Sequence, residues 1–368
     1  MNIVIAGGGT GGHLFPCIAL AHTFMKQESQ TKILFIGTGV GMEARIVPTH
    51  GFLFQPIAAA GFVGKPFFGK MRALSLIFVG IFQAISHLIR FSPDLVIGIG
   101  GYASCPVMLA AFFLRMKRVI LEPNLIPGMM NQIVAPFVHL AVTAFHETKT
   151  LLRTKKIVCL GVPVRAEILD AATTLLKKEQ TTQKKTLLIL GGSQGAQSLN
   201  QAIISALPVL KEMPIQLIHQ TGEKEAAEVS AAYKQCGVNG EVFPFIEKMS
   251  EVYLKADFVL SRAGAGTLSE LAMMGLPALL VPFPGAKGHQ QKNAESFVNA
   301  GAADIILNHD LTCETLVAKI KAILSDPEKC SNMAKAARTL AHPNAANDIV
   351  SACFSLVRGD TATAAGNP

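Results

Sequence analysis

The chain has no tryptophan and only 3 tyrosines among its 368 residues. Proteins that hold sugars on flat aromatic platforms rely on these side chains, so the composition argues against that kind of carbohydrate site. Charged residues are also few, at 16% against 50% hydrophobic residues. A chain of this length and apolar content has enough sequence for two domains, each with its own core.

Cysteine motifs are missing as well. The 7 cysteines are scattered, odd in number, and include no Cys-x-x-Cys pair. This pattern predicts reduced thiols in a cytosolic protein, with neither a zinc site nor a disulfide framework. The chain also lacks an Asp-x-Asp motif, which fits a site without a divalent metal. Met1 and Asn2 lead directly into the first apolar run, so no signal peptide is expected.

Acidic residues are scarce in the first part of the chain. Residues 1–162 contain 14 Lys and Arg against 5 Asp and Glu, whereas residues 163–368 contain 19 and 20. All of the net charge of +8 therefore comes from the first part. Such asymmetry indicates an anionic partner, either a membrane surface or a phosphate-bearing substrate, although solubility alone is an alternative. Without an arginine-rich tract, no nucleic-acid partner is expected.

Short apolar runs alternate with helical patterns along most of the chain. This alternation predicts an α/β protein with parallel sheets covered on both faces. Helices are predicted at Pro16–Lys26 and Pro106–Arg115. The predicted strands are Asn2–Ala6, Lys32–Gly37, Phe52–Ile57, Leu95–Ile99, Arg118–Leu121, Ala141–Thr143, Thr186–Leu190, Ile215–Gln220, Glu241–Pro244, Phe258–Ser261, Ala278–Val281 and Ala303–Ile306.

The strand pattern repeats, which predicts two domains. We expect a first domain over residues 1–162 and a second over 163–343, with a linker region at about 161–185. A C-terminal helix at about 344–358 is expected to pack back on the first domain. The small, polar tail 360–368 is predicted to be disordered.

Three glycine-rich turns follow predicted strands, at Gly7–His13, Gly98–Tyr102 and Gly191–Ala196. A strand that enters a glycine turn before a helix directs backbone N–H groups at one point, where the helix dipole adds positive charge. Two of the turns open the two halves of the chain. They predict two nucleotide-type domains facing one anionic ligand, although each turn alone is also compatible with a simple tight connection.

A dinucleotide cofactor is disfavoured. Binding of NAD or FAD needs an acidic residue at the end of the second strand, to hold a ribose. The second strand here ends without one, and the nearest acid, Glu43, is predicted to lie in the following helix. We therefore expect no cofactor.

The second half contains a further motif, Ser261–Ala272, in which a strand, a glycine turn and a helix follow each other. Its helix N–H groups would meet phosphate oxygens, and Arg262 would add a cation. Glu270 suits a vicinal diol such as ribose, or it is a charge in the first part of a helix. The amides in His289–Ala294 suit sugar hydroxyls, or they belong to a polar loop before a helix.

An apolar stretch, Ala73–Ile89, is close to the lower length limit for a membrane span. We expect a buried or interfacial helix instead, because the stretch has four polar residues and lies between strands. The preceding Gly61–Arg72 mixes aromatic residues with Lys and Arg, which is typical of a peripheral membrane site. The alternative is a mobile loop in front of a core helix.

Taken in order, these motifs resemble glycosyltransferase family 28, and within it the peptidoglycan N-acetylglucosaminyltransferases that convert lipid I to lipid II at the bacterial inner membrane. The resemblance covers residues 3 to 355. It rests on Gly7–His13, Gly98–Tyr102, Glu122–Asn124, Gly161–Arg165, Gly191–Ala196, Arg262–Glu270 and His289–Ala294. Two positions depart from the family pattern: Pro123 stands where Gln is common, and Val162 where Asn is common.

The resemblance implies a GT-B fold, in which two Rossmann-like domains face each other across a cleft. The second domain would hold UDP-N-acetylglucosamine (UDP-GlcNAc), with Ser193 near the diphosphate, the Ile246 backbone at uracil, Glu270 at the ribose and Gln290 at the sugar. The implied donor-binding residues are Thr10, Gly11, Gly12, Asn124, Arg165, Ser193, Ile246, Ala265, Gly266, Thr267, Leu268, Ser269, Glu270 and Gln290. For the acceptor diphosphate, the candidates are Gly100, Gly101 and Tyr102.

The implied reaction is transfer of N-acetylglucosamine to the 4-hydroxyl of the muramoyl sugar of lipid I, with inversion and without a metal. His13 is the candidate general base, since neutral imidazole exists at cytosolic pH; the alternative is a helix cap or a hydrogen-bond donor to the acceptor. The implied location is the cytoplasmic face of the inner membrane, with peripheral attachment to its anionic surface. Proteins of cell-wall synthesis are expected as further partners.

Three alternatives stay open from the sequence. The chain is compatible with another GT-B lipid glycosyltransferase, which would differ in its acceptor site. A UDP-N-acetylglucosamine epimerase would share the fold but should need paired carboxylates near the sugar, and no such pair is evident. A non-catalytic membrane scaffold that binds a nucleotide sugar would have no need of His13, Glu270 and Gln290 together.

Overall fold

The structure, a computed structural model, describes residues 1–9, 11–61, 66–175, 184–192, 194–285 and 288–360. The chain divides into two compact units. Unit 1 comprises Met1–Arg165 together with the C-terminal segment that begins at Asn344, and unit 2 comprises Ala166–Pro343.

Unit 1 alternates strands with helices. Its strands are β1 (Asn2–Ala6), β2 (Lys32–Thr38), β3 (Leu53–Ile57), β4 (Leu95–Gly98), β5 (Arg118–Glu122), β6 (Leu140–Thr143) and β7 (Ile157–Cys159). Its helices are α1 (Gly11–Gln27), α2 (Met42–Thr49), α3 (Phe67–Phe91), α4 (Ser104–Phe113), α5 (Met129–Val134) and, from the end of the chain, α14 (Ala345–Arg358).

The strands of unit 1 form one parallel sheet with the order β3-β2-β1-β4-β5-β6-β7. β1 and β4 are buried almost completely, as expected for central strands with helices on both faces. The strand order reverses between β1 and β4. In open α/β sheets, ligands bind beyond the carboxyl ends of the strands at such a switch point.

α14 packs on α1. Its residues Ile349, Val350 and Cys353 are completely buried in the same core as Leu14 and Cys17 of α1. The end of the chain therefore completes one face of unit 1.

Unit 2 repeats the alternation. Its strands are β8 (Lys185–Leu190), β9 (Ile215–Gln220), β10 (Gly240–Phe243), β11 (Phe258–Ser261), β12 (Ala278–Leu280) and β13 (Ala303–Ile305). Its helices are α6 (Ala166–Leu175), α7 (Gln197–Leu210), α8 (Ala226–Cys236), α9 (Met249–Lys255), α10 (Ala265–Met274), α11 (His289–Asn299), α12 (Cys313–Leu324) and α13 (Pro327–Thr339).

The sheet of unit 2 is also parallel, with the order β10-β9-β8-β11-β12-β13. Its switch point lies between β8 and β11, the two strands that the glycine motifs of the second half follow. One face of this sheet packs on α7, α8 and α12 through a core that includes Leu187, Leu217 and Leu260. The expectation of parallel α/β sheets is confirmed in both units.

The predicted strands are confirmed to within one or two residues. β7 was missed, because it has three residues and none of them is fully buried. Two helix predictions were too short: α1 begins at Gly11 rather than Pro16, and α3 spans Phe67–Phe91 rather than residues 73–89. Within the predicted linker, residues 166–175 form α6. Residues 62–65, 176–183 and 361–368, on which parts of the loop, linker and tail predictions fall, lie outside the described residues.

Candidate active site

The first glycine turn connects β1 to α1 through positive φ angles of 152° at Gly7, 155° at Gly8 and 91° at Gly9. A Cβ atom on Gly7 would collide with the Ile99 side chain, and one on Gly8 would collide with the Glu43 carboxylate. Only glycine fits this path, for both conformational and steric reasons. Because α1 begins at Gly11, His13 lies in the first turn of the helix and not at the end of the loop.

The Glu43 side chain holds this turn in place through hydrogen bonds. It is buried at 1% exposure. One carboxylate oxygen, Oε2, accepts a hydrogen bond of 3.0 Å from the Gly9 N–H, and the other, Oε1, accepts 3.0 Å and 2.7 Å bonds from the N–H and hydroxyl of Thr38. The prediction that Glu43 lies in the helix after β2 is confirmed, since Glu43 is the second residue of α2. That prediction gave no sign that this carboxylate ties the end of β2 to the glycine turn.

The candidate diphosphate residues lie next to the same turn. Gly100 and Gly101 have φ angles of 89° and 75°. A Cβ atom on Gly101 would be 3.3 Å from the Gly8 carbonyl oxygen, and one on Gly9 would be 3.8 Å from the Tyr102 ring. The turns after β1 and β4 are therefore adjacent at the switch point of the first sheet.

At the end of β5, a buried carboxylate shapes the Asn124 loop. Glu122 accepts hydrogen bonds from the Asn124 N–H at 2.9 Å, the Asn124 side-chain amide at 3.1 Å, the Gly128 N–H at 2.8 Å and the Asn131 amide at 2.9 Å. Burial raises the pKa of Glu122, and these four donors oppose the rise. Pro123 does not disturb the arrangement, because the donor comes from the next residue and Glu122 is extended, as a residue before proline prefers.

Four more predicted residues lie in α1 or against it. Arg165 stacks its guanidinium over the Phe15 ring, at 4.7 Å from the ring centroid. His13 is half-buried, Gly11 is buried and Gly12 is exposed. A Cβ on Gly12 would have no neighbour within 4 Å, so this glycine borders open space. Thr10 lies outside the described residues.

In unit 2, the turn after β8 packs closely against the end of β9. Gly195 and Gly222 approach so tightly that a Cβ on Gly195 would be 2.6 Å from the Thr221 carbonyl oxygen. The Asn200 amide donates to the same carbonyl at 2.9 Å, which ties the start of α7 to this turn. Ser193, the residue expected near the diphosphate, lies outside the described residues.

Behind this turn, a buried polar network holds β9. The Asn200 Oδ1 atom lies 3.0 Å from His219 Nε2, and His219 Nδ1 lies 3.2 Å from the Tyr233 hydroxyl oxygen. Burial lowers the pKa of His219 to about 3, so its imidazole is neutral at ordinary pH. These residues could not be predicted from the sequence, since a histidine in an apolar strand has no local signature of its partners.

Arg262, the predicted cation of this motif, has several partners within unit 2. Its guanidinium donates to the Val281 carbonyl at 3.0 Å, to Asn308 Oδ1 at 2.9 Å and to the Ser198 hydroxyl at 2.8 Å. Burial also lowers its pKa. Through these hydrogen bonds Arg262 joins the ends of β11 and β12 to α7, and its contact with phosphate stays a prediction.

The predicted residues Ala265 to Glu270 form the first six positions of α10. The residue before the helix, Gly264, provides no side-chain cap. The first N–H groups of a helix have no partner within the helix, so this end suits an anion. Glu270 is half-buried, and its Oε2 atom accepts a 2.9 Å hydrogen bond from the hydroxyl of the buried Tyr253 in α9. Tyr253 was not among the predicted residues.

The remaining predicted donor residues lie around α11 and after β10. Gln290, the second residue of α11, accepts a 2.9 Å hydrogen bond at Oε1 from the Phe283 N–H. The buried Asn293 amide donates to the Ala263 carbonyl at 3.4 Å, which links α11 to the turn before α10. Ile246 is buried at 7% exposure. Among the residues that the structure describes, no cluster of three His, Cys, Asp or Glu could hold a metal.

Two parallel α/β units, each with glycine turns at the switch point of its sheet, are the architecture of the GT-B fold, and the family comparison shows that this chain is a glycosyltransferase. The N-terminal domain of glycosyltransferase family 28 matches residues 3–143, and the C-terminal domain of the same family matches residues 186–349. The chain belongs to glycosyltransferase family 28.

Relatives that are named for an activity match nearly the whole chain. A protein of Anaeromyxobacter sp. (strain K) is 41% identical over 361 residues, 97% of this chain and 94% of the relative. One of Geobacter sulfurreducens is 38% identical over 361 residues, 97% of this chain and 99% of the relative. Both are named UDP-N-acetylglucosamine–N-acetylmuramyl-(pentapeptide) pyrophosphoryl-undecaprenol N-acetylglucosamine transferase.

Solved structures agree on the fold. The crystal structure of Acinetobacter baumannii MurG matches with a TM-score of 0.75 and 30% identity, over 96% of this chain and 99% of that one. The UDP-GlcNAc 2-epimerase of Neisseria meningitidis matches with a TM-score of 0.67 over 96% of this chain and all of that one, but at 16% identity, so this likeness concerns the fold alone.

Proposed function

We propose that this chain transfers N-acetylglucosamine from UDP-GlcNAc to the C4 hydroxyl of lipid I, with inversion, and so makes lipid II for peptidoglycan. The observation that carries the proposal is the 41% identity over 97% of the chain to proteins named for this transfer. The motifs that suggested the activity lie at the carboxyl ends of the two sheets, where ligands of α/β proteins bind.

For the donor, we assign unit 2. The first N–H groups of α10 and the turn after β8 bind the diphosphate, and the helix dipole favours its charge. Glu270 binds the ribose hydroxyls, and Tyr253 orients the carboxylate by fixing Oε2. Gln290 contacts the sugar, with its side chain held through Oε1 by the Phe283 N–H. The same N–H groups stabilise the leaving UDP as negative charge develops in the transition state.

For the acceptor, we assign the adjacent turns of unit 1. The backbone around Gly100 and Gly101 and the turn at Gly7 to Gly9 bind the acceptor diphosphate. His13, in the first turn of α1, removes the proton from the attacking hydroxyl. General-base catalysis of this kind is typically worth about 10²–10⁴-fold in rate. Glu43 keeps the turn in shape, since its carboxylate accepts the Gly9 N–H.

The acceptor is a membrane lipid, and α3 offers a surface for it. By length and composition α3 is the helix among the described residues that could cross a membrane. One side, with Gly80, Ala84 and Leu88, is buried in unit 1, and a Cβ on Gly80 would collide with the Ala58 carbonyl. Large apolar side chains are exposed on it at Phe67, Phe68, Met71, Phe78 and Phe82.

We therefore propose peripheral attachment at the cytoplasmic face of the cell membrane rather than a span. The apolar side chains of α3 enter the interface, while Lys70 and Arg72, together with the positive charge of unit 1, attract anionic lipids. A helix packed along one side on its own domain suits this role. Phe113 of α4, at 64% exposure, adds to the exposed apolar area of unit 1.

The test is transfer of labelled N-acetylglucosamine to a short-chain lipid I analogue, with EDTA present. Product under these conditions supports the acceptor, the reaction and the absence of a metal requirement together. Product only after addition of magnesium would keep the activity and overturn the metal-free mechanism. No product in either condition, despite measurable UDP-GlcNAc binding, would indicate another acceptor lipid or a non-catalytic binding protein.

A further inference from the structure

Unit 2 contains a cavity that the proposed transfer does not use. It has a volume of about 1030 Å³ and lies where the strands of the sheet begin. Lys185 and Thr186 at the start of β8, Gln216 of β9 and Phe258 at the start of β11 contribute to its lining. The donor motifs follow the carboxyl ends of β8 and β11, so this cavity lies at the opposite ends of the same strands.

The lining combines apolar walls with an excess of positive charge. Apolar side chains come from Leu175, Leu254, Leu276, Pro277, Leu324 and Ala334. The cations are Lys184, Lys185, Lys255, Lys335 and Arg338, whereas Asp257 is the one acid among the described lining residues. A cavity with this lining favours an anion and disfavours a cation or a sugar without charge.

The single carboxylate is already engaged. Asp257 Oδ1 lies 3.1 Å from Lys185 Nζ, and Oδ2 accepts a 2.7 Å hydrogen bond from the Thr186 N–H. Among the described residues, no carboxylate forms an ion pair with Lys184, Lys255 or Lys335. Three exposed lysines of the lining therefore form no ion pair with an acid in the part of the chain that the structure describes.

Arg338 is placed over this cavity by a specific packing feature. Gly275, which ends α10 with a φ of 64°, has no side chain, and a Cβ there would collide with the Arg338 guanidinium. Because Gly275 has no side chain, the Arg338 guanidinium of α13 packs against the C-terminal end of α10. The helix dipole also favours a positive charge at this end.

We propose that this cavity binds a small amphiphilic organic anion, with its apolar body against the leucines and its phosphate, sulfonate or carboxylate group among Lys184, Lys255 and Lys335. Its volume corresponds to sites for drug-sized molecules, which are mostly apolar with a few polar groups that set orientation. The inference is independent of the proposed transfer, because none of the lining residues belongs to the donor or acceptor motifs.

The probe is 8-anilinonaphthalene-1-sulfonate, an aromatic body with one sulfonate. Its fluorescence is titrated on the full chain in saturating UDP, which occupies the donor site. The variant Lys255→Glu with Lys335→Glu is expected to bind the probe about tenfold more weakly, because two attractive charges become repulsive. The control, Lys224→Glu with Lys234→Glu, changes two exposed lysines of the same unit outside the lining. Probe bound at α3 contributes equally to both.

A second variant separates the cavity from its surface charge. Ala334→Trp fills the space and keeps every lysine, so it is expected to abolish the same binding component. Dodecyl phosphate should displace the probe, and inorganic phosphate at equal concentration should not. Equal probe binding in the charge-reversal variant and its control would overturn the proposal. Displacement by inorganic phosphate, with normal binding to Ala334→Trp, would also overturn it, since the anion would then be held by surface charge alone.

Discussion

The phenolic hydroxyl of Tyr253 donates a 2.9 Å hydrogen bond to Glu270 Oε2. Tyr253 is fully buried in α9, whereas Glu270 is half-buried in α10. A buried phenol at this position restrains the rotation of the carboxylate that we propose binds the ribose hydroxyls. The link connects packing between two helices of unit 2 to the proposed binding of the donor.

The first prediction concerns this link. Tyr253→Phe keeps the ring and removes only the hydroxyl, so unit 2 should fold normally. Loss of one hydrogen bond to a charged group costs about 1.5–3 kcal/mol at most. Because the hydroxyl acts on UDP only through Glu270, we expect part of this cost, about 1–1.4 kcal/mol, and so about fivefold to tenfold weaker binding of UDP in isothermal titration calorimetry.

Tyr233→Phe is the matched control, because Tyr233 is also buried in unit 2 but places its hydroxyl beside His219. That variant should lose some thermal stability and keep its affinity for UDP. If Tyr253→Phe bound UDP as tightly as the unaltered protein, Tyr253 would be a packing residue and the assignment of Glu270 to the ribose would lose its support.

A second prediction concerns Glu43. In Glu43→Gln, only one side-chain atom can accept hydrogen bonds. Either the Gly9 N–H, or the N–H and hydroxyl of Thr38, would then face an NH2 group. A buried donor without an acceptor costs about 1–3 kcal/mol. We expect a lower melting temperature for unit 1 and a fall in kcat, with UDP affinity unchanged because UDP is assigned to unit 2.

The control for this variant is Glu28→Gln, which alters a carboxylate of unit 1 that pairs with the N-terminal amine. It should change neither kcat nor the binding of UDP. A Glu43→Gln enzyme with the kcat of the unaltered protein would show that the turn keeps its shape without the carboxylate.

Much of this architecture could be predicted because it has local causes. Buried parallel strands are continuous apolar runs, and a turn such as Gly7 to Gly9 needs φ angles that only glycine adopts easily. The order of motifs along the chain also indicated the family. These signals lie within a few residues of each other, so a single sequence contains them.

The supporting residues could not be predicted, since their partners are distant in sequence. Glu43 is 34 residues from Gly9, and Tyr253 is 17 residues from Glu270. The partners of Arg262 could not be predicted for the same reason. A guanidinium before a glycine turn suggests phosphate, but its acceptors, at Val281 and Asn308, come from strands and loops that only the fold brings near.

The third prediction is a pH dependence from His219. Its pKa is lowered to about 3 in the folded chain, against 6.5 ordinarily. Below pH 6.5 the unfolded chain therefore takes up a proton that the folded chain does not. The free energy of unfolding should fall by about 1.4 kcal/mol per pH unit from this group as the pH drops towards 4, and stay constant above 6.5.

Hydrogen exchange of the β9 peptide, followed by mass spectrometry between pH 4 and 7 and corrected for the intrinsic rate, measures this effect. His219→Gln should be less stable at pH 7 but show a flatter dependence on pH. His309→Gln, at an exposed histidine, should keep the slope of the unaltered protein. An unchanged slope in His219→Gln would assign the acid sensitivity to other groups.

The fourth prediction tests His13 as a base. His13→Ala should lower kcat by about 10²–10⁴-fold, with the affinity for UDP-GlcNAc largely kept. His22→Gln is the control on the same helix, because His22 packs on Phe52 and His50 and should not affect kcat. A collapse of donor affinity in His13→Ala would make His13 a binding residue instead of the base.

The last prediction concerns the exposed side of α3. Phe78 and Phe82 are 57% and 71% exposed, one helical turn apart, so both enter the same region of the interface. Replacement of both by Ser removes two apolar groups worth on the order of 1 kcal/mol each when half inserted, which together predict about thirtyfold weaker binding to vesicles. Vesicles of phosphatidylglycerol, compared with phosphatidylcholine in a flotation assay, separate the apolar contribution from the charge contribution.

Leu53→Ser, at an exposed apolar residue of β3 in the same unit, should bind like the unaltered protein. Transfer to a water-soluble acceptor analogue should stay normal in the Phe78→Ser, Phe82→Ser variant, because α3 is assigned to membrane attachment and not to the reaction. Unchanged flotation would mean that these phenylalanines do not reach the lipid and that unit 1 attaches through another surface.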